Sequence, residues 1–243
     1  MGMRGIVLAG GKGSRLGELT KVTNKHLLPV GSVPMVYHPL RKIVGAGVRD
    51  VLLVSGTEHM GDFVELLGSG KDHHCALTYR VQDEAGGIAQ ALGLAETYCA
   101  GNRCLVILGD NIFHAPVTLM LAEADRHPDW AWVGLKQVPD PGRYGVAELD
   151  GSRVVRIEEK PKWPKSDYAV IGVYIYPADV FDVIKTLKPS GRGELEITDV
   201  NSYYLKAGRL GSSILHGYWT DAGTLDSLAF ANQLVRQEPP LFE

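Results

Sequence analysis

The chain has 243 residues, 45% of them hydrophobic and 22% charged, enough for one large or two small packed domains and too apolar for disorder. Its net charge of −3 hides an asymmetry, because residues 1–50 carry +6 and the remainder −9. A basic N-terminal fifth suits a small anionic ligand, whereas nucleic acid would call for a broader basic stripe. No apolar run reaches the ~18 residues of a membrane span, and no secretory or myristoylation signal opens the chain. The three cysteines form no C-x-x-C and the eight histidines have no zinc spacing. A cytoplasmic protein with buried, reduced thiols and no membrane or nucleic-acid partner is expected. The 29 glycines show no G-x-y period, so collagen is excluded and the surplus belongs in turns or beside a ligand.

Residues 4–9 read as a buried strand running into glycines. Helical spacing follows over 34–46, then a second buried strand over 51–55 and a helix over 58–67. A third strand is expected over 77–82, a helix over 87–99, a fourth strand over 104–110 and a helix over 117–126. Apolar strands alternating with helices predict a parallel sheet covered on both faces. Past residue 130 come four strand-like runs, WAWVGLKQV, GVAEL, RVVRIEE and YAVIGVYIY, with few helices between them. Helices return near 178–187, 196–207 and 224–235. No linker or repeat divides the chain. The expected fold is therefore α/β, a Rossmann-like mixed, largely parallel sheet flanked by helices. It forms a single domain over 1–243, with a nucleotide-binding half to about 130 and a β-rich half from 131 that holds a second substrate.

Directly after the first strand comes Gly10-Gly11-Lys12-Gly13-Ser14-Arg15. Glycines there leave backbone N–H groups uncovered for a phosphate, with Lys12, Arg15 and Lys25 as countercharge. The loop lacks the G-K-[ST] of a Walker A motif and the third glycine of a dinucleotide fingerprint, which argues against P-loop NTPases and NAD enzymes. Taken alone it also reads as a tight turn without a ligand. Asp110 and Asp221 each follow an apolar strand, where a carboxylate can hold Mg²⁺ beside phosphates or cap the next helix. Gln82 ends a strand and can pair with a pyrimidine edge or be an ordinary junction residue. Glu158-Glu159-Lys160 can bind a sugar hydroxyl and a phosphate, or be a solvated strand end. Neighbours on a strand face opposite ways, so Glu159 and Lys160 should serve different groups unless the strand end twists.

In order along the chain, GGKGSRLGELTKVTNKHLLPV, VQDEAGGIAQA, LGDN, RYGV, EEKP, YAVIG, RGELEITD and WTDAGT resemble the motifs of sugar-1-phosphate nucleotidylyltransferases over residues 4–235. They are most similar to the glucose-1-phosphate thymidylyltransferase members in their short form. The resemblance implies that Leu8, Gly10, Gly11, Gly13, Ser14, Arg15, Lys25, Gln82, Gly87 and Ile88 bind the nucleotide. It places Mg²⁺ on Asp110 and Asp221, and these two with Arg15 and Lys25 as the catalytic set. It assigns Tyr144, Gly145, Glu159, Lys160, Val170 and Arg192 to the sugar phosphate. The implied reaction is transfer of a nucleotidyl group from dTTP to glucose 1-phosphate, giving dTDP-glucose and pyrophosphate, by a homo-oligomer serving nucleotide-sugar and polysaccharide biosynthesis. Four departures from the family pattern stand out: Glu18 for proline, His26 for glutamine, Gly86 for aspartate and Ile171 for threonine, the last a change that could adjust sugar choice. A carboxylate at 18 should point away from phosphates. UTP differs from dTTP in its base by one methyl, worth only ~1–3 kcal/mol in a pocket, so uridylyl transfer is the nearest alternative. A non-catalytic subunit of the same fold should have lost phosphate or metal residues, and none is missing here. The chain ends about twenty residues after Asp221, where longer members continue, so a catalytic core without their regulatory extension is the expectation.

Overall fold

The computed structural model describes residues 2–242. In chain order it contains β1 (Met3–Leu8), β2 (Pro29–Val30), β3 (Val33–Pro34), α1 (Tyr37–Gly45), β4 (Asp50–Gly56), α2 (Met60–Leu67) and β5 (Ala76–Gln82). Next come α3 (Ile88–Gly93), α4 (Glu96–Cys99), β6 (Arg103–Leu108), β7 (Asn111–Phe113), α5 (Thr118–Ala124), β8 (Ala131–Gln137), β9 (Gly145–Asp150) and β10 (Arg153–Glu159). The remainder is β11 (Tyr168–Tyr176), α6 (Val180–Thr186), α7 (Ile197–Lys206), β12 (Leu210–Ile214), β13 (Trp219–Asp221) and α8 (Leu225–Gln237). The fold is α/β, a mixed, largely parallel sheet flanked by helices, as expected. Among the described residues no helix is long and apolar enough to cross a membrane.

The chain forms two compact units that interleave in sequence. The first comprises Arg4–Ala85, Ile107–Thr118 and the segment from Gly217 onward. Its strands β1, β4 and β5 are parallel and level: Leu8 lies opposite Val54, and Gly56 opposite Gln82. The apolar runs IVL and VLLVS are buried along their length, as strands covered on both faces must be. β5 departs from that pattern. It alternates and is half exposed, because it pairs with β4 on one side only. Behind the glycine loop, Leu16 packs with Val30, Met35, Ile112, Ala222, Leu228 and Ala231 in one apolar cluster. That cluster fixes the loop against α8, whose N-terminus is closed by a Thr224–Ser227 capping box.

The second unit comprises Gly86–Val106 and Leu119–His216 with Met3, the first residue of β1. Here β8 runs antiparallel to β11 and parallel to β12, while β9 runs antiparallel to both β10 and β11. β11 is buried over nearly its whole length. The Tyr176 hydroxyl donates to Asn201 of α7, 2.7 Å away. The helix expected over 87–99 is in fact two short helices, α3 and α4, separated by a break at Leu94–Ala95. All three cysteines are free and buried.

One buried charge sits outside any expectation. Lys42 of α1 is enclosed, and its ammonium donates to the carbonyls of His114 (2.7 Å), Ala115 (2.7 Å) and Leu241 (2.5 Å). It ties α1 to the exit of β7 and to the chain beyond α8. Burial pulls its pKa down to about 7. Lys42→Met leaves those carbonyls without their shared donor and is predicted to cost about 2 kcal/mol, read by urea unfolding. Between pH 7 and 9 the unfolded chain would hold the lysine proton more tightly than the folded one. The wild type should therefore gain stability relative to the variant as pH rises across that window.

Candidate active site

The carboxyl ends of β1, β4 and β5 open onto a cleft of about 230 Å³ lined by Gly11, Lys12, Thr20, Thr23, Asn24, Gly56, Thr57, Glu58, His59, Gln82, Asp83 and Ala85. Ligands collect at this end of parallel strands. Gln82 is 8% exposed, and its amide lies so close to Gly10 that a Cβ there would sit 2.6 Å from Gln82 Oε1. Gly13 is left-handed at φ 63°, and Ser14 opens a 3-10 turn over Ser14–Thr20. The Thr20 hydroxyl donates to the Gly13 carbonyl at 3.1 Å and braces that turn. Leu8 is buried and its carbonyl accepts the Gly109 N–H at 2.8 Å. Glu18 faces solvent and pairs with Lys21 at 2.7 Å.

The same unit holds a buried ion pair. Lys25 Nζ is 2.5 Å from Asp110 Oδ2, the side chains being only 11% and 15% exposed. The Asn111 amide donates to Asp110 Oδ1 at 3.0 Å. Burial alone would raise the Asp110 carboxyl. The Lys25 ammonium and the Asn111 amide outweigh it and hold the group well below the usual carboxylate range. No helix follows Asp110, which sits between β6 and β7, so it caps nothing. Asp221 closes β13 directly opposite Asn111, and the Ala222 N–H donates to the Asp110 carbonyl at 2.9 Å. Thr224, not Asp221, caps α8. A Cβ placed on Gly223 would lie 3.0 Å from Arg15 Nη2 and 3.7 Å from Asp221 Oδ2, so Arg15 and Asp221 flank that glycine together.

His26 was not singled out by the sequence as a site residue. It is buried beside Gly109, its Nδ1 2.7 Å from Asn24 Oδ1. Burial, helped by the neighbouring Lys25 charge, lowers its pKa to about 3, so the ring is neutral at physiological pH. Asn24 bridges it to the glycine strand by donating to the Ala9 carbonyl at 3.4 Å.

The second unit gathers the other predicted set. Gly145 of β9 is flanked in register by Glu159 of β10 and Val170 of β11. A Cβ on it would lie 3.1 Å from Thr198 Oγ1 and 3.4 Å from Glu159 Oε2. The Thr198 hydroxyl donates to Glu159 Oε2 at 2.5 Å. The strand does twist at its end: Lys160 adopts φ 43°, bringing Nζ to 3.8 Å from Glu159 Oε1 on the same side. Its N–H donates to the Tyr144 carbonyl at 2.9 Å. Arg192 forks onto Glu196 (2.7–3.1 Å) and reaches to 3.6 Å from Glu159 Oε1. Burial opposes ionisation of Glu196, but Ser190 and Arg192 hold its carboxyl below the ordinary range. Gly87, at φ 97°, caps α3, and the Leu195 carbonyl lies so close that a Cβ there would be 2.6 Å away; Ile88 begins the helix. Thr198 and Glu196 were missed as site residues because a T-D helix start is locally ordinary. Only the cross-strand geometry reveals them.

A cleft over strand ends, a glycine loop, two acids at the β7–β13 pairing and a second unit with alternating acids and cations are features suited to handling phosphates. Residues 4–238 match the nucleotidyl transferase family, and the chain belongs to it. The glucose-1-phosphate thymidylyltransferase of Neisseria meningitidis is 43% identical over 238 residues, covering 96% of this chain and 83% of that one. Its namesake in Xanthomonas campestris is 45% identical over 236 residues, covering 96% and 80%. A Bacillus anthracis crystal structure, provisionally named glucose-1-phosphate thymidylyltransferase and complexed with sucrose, superposes with a TM-score of 0.93 at 54% identity, covering 97% of this chain and 96% of that one. A UDP-glucose pyrophosphorylase superposes at 0.85 with 23% identity, a likeness of fold. The chain is a nucleotidyltransferase enzyme.

Because Asp110 is ionised more readily when folded, its pairing adds stability above the unfolded-state pKa near 4 and loses it as pH falls below that. Urea unfolding from pH 6 down to 3 should therefore show the advantage of the wild type over Asp110→Asn shrinking below about pH 4.

Proposed function

We propose that this chain transfers the thymidylyl group of dTTP to glucose 1-phosphate, releasing pyrophosphate and giving dTDP-glucose. The observation that carries the reading is the buried Lys25–Asp110 pair, with Asp221 opposite Asn111 and Arg15 beside Gly223, in the same unit as the Gln82 cleft. The relatives bearing the thymidylyltransferase name support the choice of substrates.

In this reading Gln82 presents its amide to the pyrimidine edge, and the loop from Gly10 to Ser14 offers backbone N–H groups to the triphosphate. Lys25 gives one donor to Asp110, and an ammonium has three, which leaves donors for phosphate oxygens. Arg15 beside Gly223 adds a guanidinium fork. In the second unit, Glu159 accepts sugar hydroxyls with its carboxylate aimed by Thr198. Gly145 leaves room for the ring against Tyr144 and Val170, while Lys160 and Arg192 hold the phosphate end. The attacking oxygen belongs to a phosphate that is already anionic near neutral pH, so no general base is required. What the residues supply is neutralised charge and fixed position.

The donor set fits Mg²⁺. Two carboxylates, one of them held ionised, lie at the β7–β13 pairing: Asp221 ends β13 opposite Asn111, and Asp110 is the residue just before Asn111. Among the described residues no cluster of three or more His, Cys, Asp or Glu suggests a closed protein cage. Mg²⁺ characteristically takes one or two carboxylates and fills its remaining positions with water and phosphate oxygens. Bound by Asp110 and Asp221, it would offset charge on the phosphates during attack.

A matrix of dTTP, UTP, CTP, ATP and GTP against several sugar 1-phosphates, read by pyrophosphate release, tests the proposal. dTTP with glucose 1-phosphate should give the highest kcat/KM, and Asp110→Asn should lower that turnover by at least a hundredfold with Mg²⁺ saturating. A clear preference for UTP would replace thymidylyl by uridylyl transfer, and no release with any pair would overturn the enzyme reading.

A further inference from the structure

We propose that Trp219 is a positioning residue for the Asp110 carboxylate, acting through the side-chain amide of Asn111. The inference rests on Asp110 being the metal-bearing acid. Its new content is what orients that acid. The Trp219 indole N–H, which can only donate, gives its hydrogen to Asn111 Oδ1 at 2.7 Å in a buried setting. With its carbonyl end engaged, the Asn111 amide must turn its NH₂ toward Asp110, and Nδ2 donates to Asp110 Oδ1 at 3.0 Å.

A flipped amide would lose both hydrogen bonds. It would also set a carbonyl oxygen against a carboxylate and an NH₂ against an indole N–H, acceptor to acceptor and donor to donor. The indole therefore makes one of the two amide orientations the only satisfied one. Lys25 holds the other oxygen, Oδ2, at 2.5 Å. Each carboxylate oxygen thus carries one fixed donor, and the lone pairs left for a cation point in set directions.

The backbone supports the same link. β13 and β7 pair with Trp219 opposite Phe113 and Asp221 opposite Asn111. A three-residue strand thereby carries both the second acid and the group that orients the first. Trp219 and Asn111 are both buried. Their effect on a cation is one of orientation, a class of contact whose loss typically costs about 10–100-fold in metal affinity or activity.

The test is binding without turnover. Binding of the Mn²⁺ complex of thymidine triphosphate is followed by water-proton relaxation in the absence of any sugar phosphate. Binding of the metal-free nucleotide is measured alongside, with a chelator present. Trp219→Phe keeps the ring but lacks the N–H, and Asn111→Leu breaks the same link from the other end. Each is predicted to lose roughly tenfold or more of the metal-dependent affinity while metal-free binding stays within about twofold. The double variant should be no weaker than Asn111→Leu alone, because both changes cut one chain. Thermal unfolding checks that the variants remain folded, and Asn111→Leu still carries the test should Trp219→Phe not fold.

Wild-type metal-dependent affinity in Trp219→Phe, or losses that multiply in the double variant, would overturn the proposal. Asp110→Asn separates the two levels of the account. If it too binds the Mn²⁺ complex like the wild type, the metal site itself is misplaced. If it alone loses that binding, only the role of Trp219 fails.

Discussion

The buried pairing of Lys25 with Asp110 is the constraint around which the first unit is arranged. Either charge alone at that depth would be costly to bury, and losing one partner of such a pair typically costs about 3–5 kcal/mol. Together they keep a carboxylate ionised in a place where burial would otherwise neutralise it. Much of the surrounding structure secures that pair. Asn111 supplies a further hydrogen bond to the acid, and the Ala222 N–H ties the Asp110 backbone to the end of β13. His26 stays neutral between Asn24 and Gly109, so it adds no competing charge. Leu16 anchors the glycine loop in the apolar cluster, so the loop's N–H groups are presented from a packed base.

The second unit solves a similar problem with more exposed groups. Glu159, Arg192 and Glu196 form an alternating acid–base chain with Lys160 beside it, and Thr198 adds a neutral donor. Such a cluster is preorganised in that its charges are placed before any ligand arrives. It is also adjustable. Arg192 is 44% exposed and shares its guanidinium among three carboxylates, so the proposed phosphate would take up part of that charge without uncovering a buried ion. The left-handed backbone at Lys160 is what turns its side chain to the same side as Glu159, at a conformational cost of about 1–2 kcal/mol for a residue with a Cβ.

Strong periodicity made most of the fold legible. The buried runs at β1, β4, β6 and β8 to β11, and the helical spacing at α1, α2 and α5 to α8, can all be read directly from residue pattern. Short elements could not. β2, β3 and β7 have two or three residues each and no period to detect, β13 was expected only as a strand before Asp221 with no partner, and β12 lacks apolar bulk. That gap had consequences at the site. Without β7, Asp110 looked equally able to cap a helix, and without the β7–β13 pairing nothing placed Asp221 opposite Asn111. The residues assigned to phosphate and sugar were assigned through ordered motifs spread along the chain. The groups packed against them, Asn111, Thr198, Glu196 and Trp219, are bound through contacts that pattern along the chain does not reveal. Lys42 was invisible for a related reason: a lysine on an amphipathic helix ordinarily faces water.

In the proposed reaction the residues place charge around a direct displacement, and no side chain forms a bond to the nucleotide. The stereochemistry at the α-phosphorus examines that claim most directly. One diastereomer of an α-thio thymidine triphosphate, turned over with glucose 1-phosphate, should give product of inverted configuration by phosphorus NMR. Retention would require two displacements through a covalent nucleotidyl-protein intermediate, and would contradict a site built from fixed charges alone.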